Sequence, residues 1–198
     1  MIERWRHAVL VLVLLLTSGS MLHSEEQERI LNYHSTIQVR SDGSMQVTET
    51  IRVLSTGDRI RHGIFRSLPT RYRDRYGHRF SVPLSVKAAT RDGEEEAHTI
   101  RSESNGVHIY LGDENSLVDP GVHTYTLTYE TRRQIGFFHS HDELYWNVTG
   151  NGWAFAIDTV AATVYLPAQV AATTIGWDGF TGVQGSREKG LAFIRRED

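Results

Sequence analysis

The chain contains no cysteine in its 198 residues, so no disulfide staples it and packing alone must hold the fold. It also lacks a basic excess. The formal charge is −3, and setting aside the net +1 of residues 1–24 leaves −4 for the remainder. That balance argues against a nucleic-acid binder. Nucleophile signatures built on cysteine or on Gly-x-Ser-x-Gly are missing, and no glycine-rich phosphate cradle precedes a helix. Beyond residue 16 no apolar run is long enough to cross a bilayer as a helix, and no segment there carries a helical apolar period. What remains is a chain of strands and turns.

At the N-terminus Arg4 and Arg6 precede an apolar run over residues 8–16, followed by Thr17, Ser18, Gly19 and Ser20. Basic, apolar and small residues in that order read as a secretory signal, with cleavage expected after Ser20 or Ser24. The run falls short of the roughly 20 residues that a spanning helix needs. Residues 1–24 are therefore expected to be a signal peptide, with an uncleaved anchor as the alternative. Residues 25–198 would then be a single extracytoplasmic domain, exported to the periplasmic or extracellular face of the cytoplasmic membrane.

Strand patterns begin after a polar lead-in, Glu25-Glu26-Gln27-Glu28. Ile37 and Val39 alternate with polar residues, Ser41-Asp42-Gly43 marks a turn, and Met45, Val47, Ile51 and Val53 carry the return, which predicts a long hairpin over 33–54. Thr48 and Thr50 suit its solvated face. Residues 55–79 break the alternation and read as a long connection, pinned to the core by Ile64, Phe65, Leu68 and Pro69. Alternation resumes at Phe80, Val82, Leu84 and Val86. Two strands over 98–103 and 107–111 meet at Asn105-Gly106, a strong hairpin signal. A further strand runs from Val122 to Tyr129 after Pro120-Gly121.

The segment 145–155 places Trp146 and Trp153 around Gly150-Asn151-Gly152, where positive φ is tolerated, and is predicted to be a hairpin over 142–153. By the period-2 rule Trp146 and Val148 share one face, as do Trp153, Phe155 and Ile157. Another strand runs from Val160 to Leu166, and two last ones are expected at Ile175 and Trp177 and at Leu191, Phe193 and Ile194. Short strands separated by turn residues predict an all-β fold, an antiparallel β-sandwich or a barrel-like variant of one.

Three groups of side chains suggest chemistry. Between Arg59 and Arg79 seven arginines stand against one acid, Asp74, and guanidinium forks suit oxyanions. Within this stretch Arg66 lies among apolar residues and is expected to pair with Glu49 or Glu143. The candidate ligand-binding residues are His62, Arg66, Arg71, Arg73, Asp142, Tyr145 and Asn147. In His139-Ser140-His141-Asp142-Glu143, an extended strand would put His139, His141 and Glu143 on one face, where two imidazoles and a carboxylate could hold zinc. Trp146 and Trp153 are expected in the core rather than in a sugar-stacking platform with Tyr72, Tyr145 and Trp177.

Four phrases, in order, resemble a known family. They are Asp42-Gly43-Ser44-Met45-Gln46-Val47-Thr48-Glu49-Thr50, His62-Gly63-Ile64-Phe65-Arg66, Tyr125-Thr126-Leu127-Thr128-Tyr129, and Asp142-Glu143-Leu144-Tyr145-Trp146-Asn147-Val148-Thr149-Gly150 with Trp153. Across residues 30–170 the chain resembles the YciQ-like predicted membrane proteins of bacteria. The resemblance implies an N-terminal extracytoplasmic domain of unknown function, carried in that family between a signal sequence and transmembrane helices, with no assigned catalytic residues.

The expectation is an exported, non-catalytic β-sandwich that binds an envelope polymer or a membrane protein through the 59–79 loop and the 142–153 hairpin. It would need no cofactor and bind no nucleic acid, and it would associate with the membrane through its N-terminal segment or a partner. The alternatives are a metal-dependent hydrolase of envelope material using His139, His141 and Glu143, and a purely structural ectodomain of a membrane protein. Fold class does not choose among them.

Overall fold

A computed structural model describes residues 27–73, 76–182, 188 and 189. The signal segment and the strand expected around Leu191, Phe193 and Ile194 lie outside the described residues. Strands β1 (Arg29–Val39) and β2 (Met45–Ser55) form the long hairpin. Its turn is locked by Asp42, whose Oδ1 accepts from the Ser44 backbone N–H at 2.9 Å and the Ser44 hydroxyl at 2.6 Å.

The stretch read as a long connection contains strand β3 (Ile64–Pro69) and a short strand β4 (Arg71–Arg73) that pairs with β5 (Arg79–Ser81). The strand was hidden by a charge in its inward register: Ile64, Arg66 and Leu68 point into the core, while Phe65 and Pro69 face out. Phe65 and Pro69 are thus not part of the pin that the sequence suggested, which rests on Ile64 and Leu68. Pro83 interrupts the run expected from Phe80 to Val86, because it has no N–H to give a ladder. The chain restarts as β6 (Leu84–Arg91), followed by β7 (Glu94–Glu95).

Strands β8 (His98–Ser102) and β9 (Gly106–Leu111) form the hairpin at Asn105-Gly106, and β10 (Gly121–Thr131) is the expected long strand. The chain then makes a small hairpin, β11 (Ile135–Phe137) and β12 (Asp142–Leu144), and β13 (Val160–Tyr165) is the last strand among the described residues. The Ile175–Trp177 region forms no strand and follows a single 3₁₀ turn.

The main sheet has six strands in the order β13-β1-β2-β10-β6-β7, and a three-stranded sheet, β3-β9-β8, shares its core. Tyr33, Ile37, Val47, Ile51, Tyr125 and Leu127 of the larger sheet are buried with Ile64, Leu68, Ile109 and Leu111 of the smaller one. The fold is all-β, and no closed barrel forms among the described residues. Thr48 and Thr50 lie on the other, half-buried face of β2, as alternation requires.

Among the described residues, pairing is antiparallel except at one edge, where β13 runs parallel to β1. The cause is the segment 145–159, which crosses over the core instead of folding back as a hairpin. It is fastened to β1 by backbone bonds of 2.9 Å from Ile30 N to Ala156 O, Asp158 N to Ile30 O and Tyr33 N to Thr159 O. The hairpin predicted over 142–153 is therefore absent; only residues 142–144 are in a strand, paired backwards to β11. The alternation it was read from is nevertheless present. Trp146, Val148, Trp153, Phe155 and Ile157 pack against the core while Tyr145 and Asn147 face out.

Candidate functional site

One of the candidate residues, Arg66, forms a buried ion pair. Glu49 occupies an inward position of β2 between Val47 and Ile51, and Arg66 occupies one of β3. Their side chains are 0% and 1% exposed. Arg66 Nε donates to Glu49 Oε2 at 2.7 Å and Nη2 donates to Oε1 at 3.0 Å, the two-pronged geometry that suits guanidinium to carboxylate. The Tyr129 hydroxyl of β10 donates to the same Oε1 at 3.0 Å, and Arg66 Nη1 donates to the Ser67 carbonyl at 3.0 Å. Burial opposes a charge on Arg66, but the Glu49 carboxylate outweighs it and holds the guanidinium protonated, above its ordinary range. Burial and the nearby Glu49 charge push Tyr129 well above the phenol range, so it stays a donor.

The pair fixes the crossover segment to the sheets. Gly150 sits directly on the guanidinium: a β-carbon there would lie 2.0 Å from Arg66 Nη1, and its φ of +70° is in the left-handed region. Glycine meets both demands. Around it, the Asn147 side chain accepts from Gly150 N at 3.0 Å and Trp153 Nε1 donates to Thr149 O at 2.9 Å. Trp153 meets Tyr33 edge-on at 6.1 Å, and the Arg66 guanidinium lies 5.8 Å from the same Tyr33 ring. The Tyr33 hydroxyl faces Glu49 but does not reach hydrogen-bond geometry. Nearby, Arg59 lies 5.0 Å from the Phe155 ring and donates to Ala154 O at 3.2 Å.

Of the two partners expected for Arg66, the structure selects Glu49; Glu143 is exposed on β12. Arg66 is closed to a ligand, and the other candidates are anchored in different parts of the fold. His62 is held by its Nδ1 to Ser116 O at 2.9 Å. Arg71 donates to the carbonyls of Glu103 and Ser104 in the β8–β9 turn at 2.5 and 3.3 Å. Asn147 serves as the turn cap described above. Arg73 is exposed on β4, and Asp142 and Tyr145 are exposed on and just after β12.

His139 and His141 lie in the β11–β12 turn rather than on an extended strand, so the shared face expected for them with Glu143 does not form. His141 instead stacks on Phe138 at 5.1 Å and bonds to Ser140 Oγ at 3.0 Å. Among the described residues no three metal-ligating side chains gather around one point.

A role that the sequence did not signal belongs to Glu28. Its carboxylate accepts four backbone N–H groups of the β2–β3 connection, from Thr56, Asp58, Arg59 and Ile60, at 2.8–3.2 Å. Partial burial opposes ionisation there, yet these donors together hold the carboxyl below its usual range.

A disulfide-free all-β protein whose four family-like phrases each bring one residue, Glu49, Arg66, Tyr129 and Gly150, to a buried ion pair is thus the class at hand. The chain belongs to the family described as the N-terminal domain of a predicted membrane protein (DUF2207), whose profile matches residues 29–191. It is 28% identical over 155 residues to the uncharacterized protein YciQ of Escherichia coli (strain K12), covering 73% of this chain and 25% of that protein. The chain thus spans about a quarter of the length of that relative. No described helix is long and apolar enough to cross a membrane. Among solved structures, native yeast LTA4 hydrolase overlaps 54% of this chain and 15% of its own at 14% identity and TM-score 0.37. An M1 zinc metallopeptidase from Deinococcus radiodurans overlaps 55% of this chain and 21% of its own, at 14% identity and TM-score 0.35. Overlap this slight carries no argument about fold or activity.

Proposed function

We propose that the domain is a non-catalytic binding module at the cell-envelope face of a membrane protein, recognising an envelope polymer or another membrane protein through the β11–β12 hairpin. The observation that carries this is the exposure of three aromatic rings within nine residues: Phe137 at 75%, Phe138 at 56% and Tyr145 at 79%. Large rings left in water mark interaction surfaces more often than isolated aliphatic residues do. The hairpin that bears them is seated on the core through Ile135, Leu144 and Trp146, so the rings stand on a firm base. Asp142, on the same hairpin, is an exposed hydrogen-bond acceptor. The buried Glu49–Arg66–Tyr129 network is closed to a ligand.

Cosedimentation of the purified protein with wall polymer and with native membranes, set up separately, tests the proposal. The double variant F138S/Y145S should lose binding to one of these fractions while keeping its fold. Undiminished binding would refute the assignment of the hairpin. Absence of binding to both by the unaltered protein would favour a purely structural ectodomain.

A further inference from the structure

At one end of the six-stranded sheet three connections meet around a cleft of about 680 Å³: the β1–β2 turn, the β5–β6 link and the β10–β11 link. Asp42, Val82, Pro83, Arg132, Arg133 and Ile135 are among the residues that line it, and Phe137 stands at its side. The volume falls within the range of small-ligand sites, about 300–1,000 Å³. Successive residues of an extended strand point to opposite faces. Arg133 breaks that rule with a φ of +61°, and both Arg132 and Arg133 line the same cleft.

The Asp42 carboxyl is held below its usual range chiefly by its bonds from Ser44 and in smaller part by the Arg132 and Arg40 charges, but neither guanidinium of Arg132 and Arg133 bonds to it directly. Neither has an ion-pair or hydrogen-bond partner among the described residues. The nearest acid on the strand, Glu130, is already engaged by Arg40 at 2.8 Å and Lys87 at 2.9 Å. Asp42 does line the cleft, but its Oδ1 is held by two bonds from Ser44. Two exposed arginines thus face one partly satisfied carboxylate, beside a wall of Val82, Pro83, Ile135 and Phe137. Forked guanidiniums favour phosphate-type oxyanions, and the wall favours an apolar body attached to one.

From this juxtaposition we infer that the cleft binds an amphiphilic phosphate ester, with Arg132 and Arg133 on the phosphate and Phe137 with Ile135 against the apolar part. The inference goes beyond the binding-module reading by assigning a further ligand class to a site that borders the same hairpin. Lipid headgroups in a bilayer and soluble phosphate esters share this chemistry.

Titration of the full chain with monomeric dihexanoyl-phosphatidylglycerol should show saturable binding of one molecule; the phosphatidylcholine analogue, whose choline cation the two guanidiniums repel, and inorganic phosphate, which has no apolar part, should bind much more weakly. The double variant R132Q/R133Q should bind at least about tenfold less tightly, as the loss of charge-assisted bonds implies. F137S should weaken the lipid and leave inorganic phosphate unchanged, and R101Q, on the remote strand β8, should change nothing. Flotation with phosphatidylglycerol vesicles, if it depends on Arg132 and Arg133, identifies a bilayer as the source. Monomer binding without flotation identifies a soluble ester, and both results support the site. No saturable binding, or equal losses in R132Q/R133Q and R101Q, overturns it. If the titration fails while F138S/Y145S still abolishes capture of an envelope fraction, the cleft is refuted and the binding-module reading stands.

Discussion

Removing one member of the Glu49–Arg66 pair should cost far more than removing both. In Arg66→Met the Glu49 carboxylate stays at a site that is 0% exposed, with only the Tyr129 hydroxyl as a donor. A buried charge stripped of its partner costs about 3–5 kcal/mol. Glu49→Leu strands the guanidinium in the same way and carries a similar cost. In the double variant E49L/R66M no charge remains, and apolar side chains of similar volume fill the space. The residual cost is the Tyr129 hydroxyl without its acceptor, about 1–3 kcal/mol; adding Tyr129→Phe should recover most of it. The single losses should thus exceed the double loss, giving a coupling of at least about 3 kcal/mol, at or beyond the upper end for residues in contact. Urea unfolding followed by tryptophan fluorescence measures each loss, because Trp146 and Trp153 pack against this core. Two results would refute the reasoning: an Arg66→Met variant within about 1 kcal/mol of the parent, or single costs that simply add.

Two further substitutions probe the same framework. Gly150→Ala adds a β-carbon 2.0 Å from a guanidinium that cannot move without leaving Glu49, and should cost about 2–4 kcal/mol. In an Arg66→Met background that loss should shrink to the backbone strain alone, about 1 kcal/mol; an unchanged loss would show that Arg66 is not what Gly150 accommodates. Glu28→Gln tests the carboxylate that gathers the β2–β3 connection, whose folded pKa is depressed. Its stabilisation is therefore present above the unfolded carboxyl value of about 4.3 and lost as the pH falls through the lower folded value. The variant should unfold at lower urea than the parent at pH 7 and show a shallower decline on acidification below about pH 4.3. Parallel curves for parent and variant from pH 7 to pH 3 would remove Glu28 from this role.

Alternation was the most legible signal, and it reported facing more faithfully than pairing. Trp146, Val148, Trp153, Phe155 and Ile157 face the core as the period-2 rule requires, yet the hairpin drawn from them does not exist. A side-chain period records which face is buried and is silent on which strand lies alongside. Backbone bonds to Ile30 and Tyr33 decide that, and they join residues more than a hundred positions apart. The same limit concealed the parallel edge at β13. Strand β3 was missed for the opposite reason. Its inward triplet Ile64, Arg66, Leu68 alternates correctly, but an arginine in the middle position reads as solvent until its partner is known. That partner could be inferred, because Glu49 interrupts the inward series Val47, Ile51 of β2: a carboxylate in a core register demands a cation. Glu28 offered no such cue, since a carboxylate that binds backbone N–H groups leaves no pattern in side-chain type. Tyr145 is among the candidates that the sequence offers, but Phe137, Phe138 and the two arginines of the cleft carry no such signal, on similar grounds. Arg132-Arg133 looks like an ordinary charged turn until a left-handed Arg133 brings both side chains to one cleft. The buried pair was readable because burial constrains residue type, whereas surface sites depend on where turns place side chains that any turn would accept.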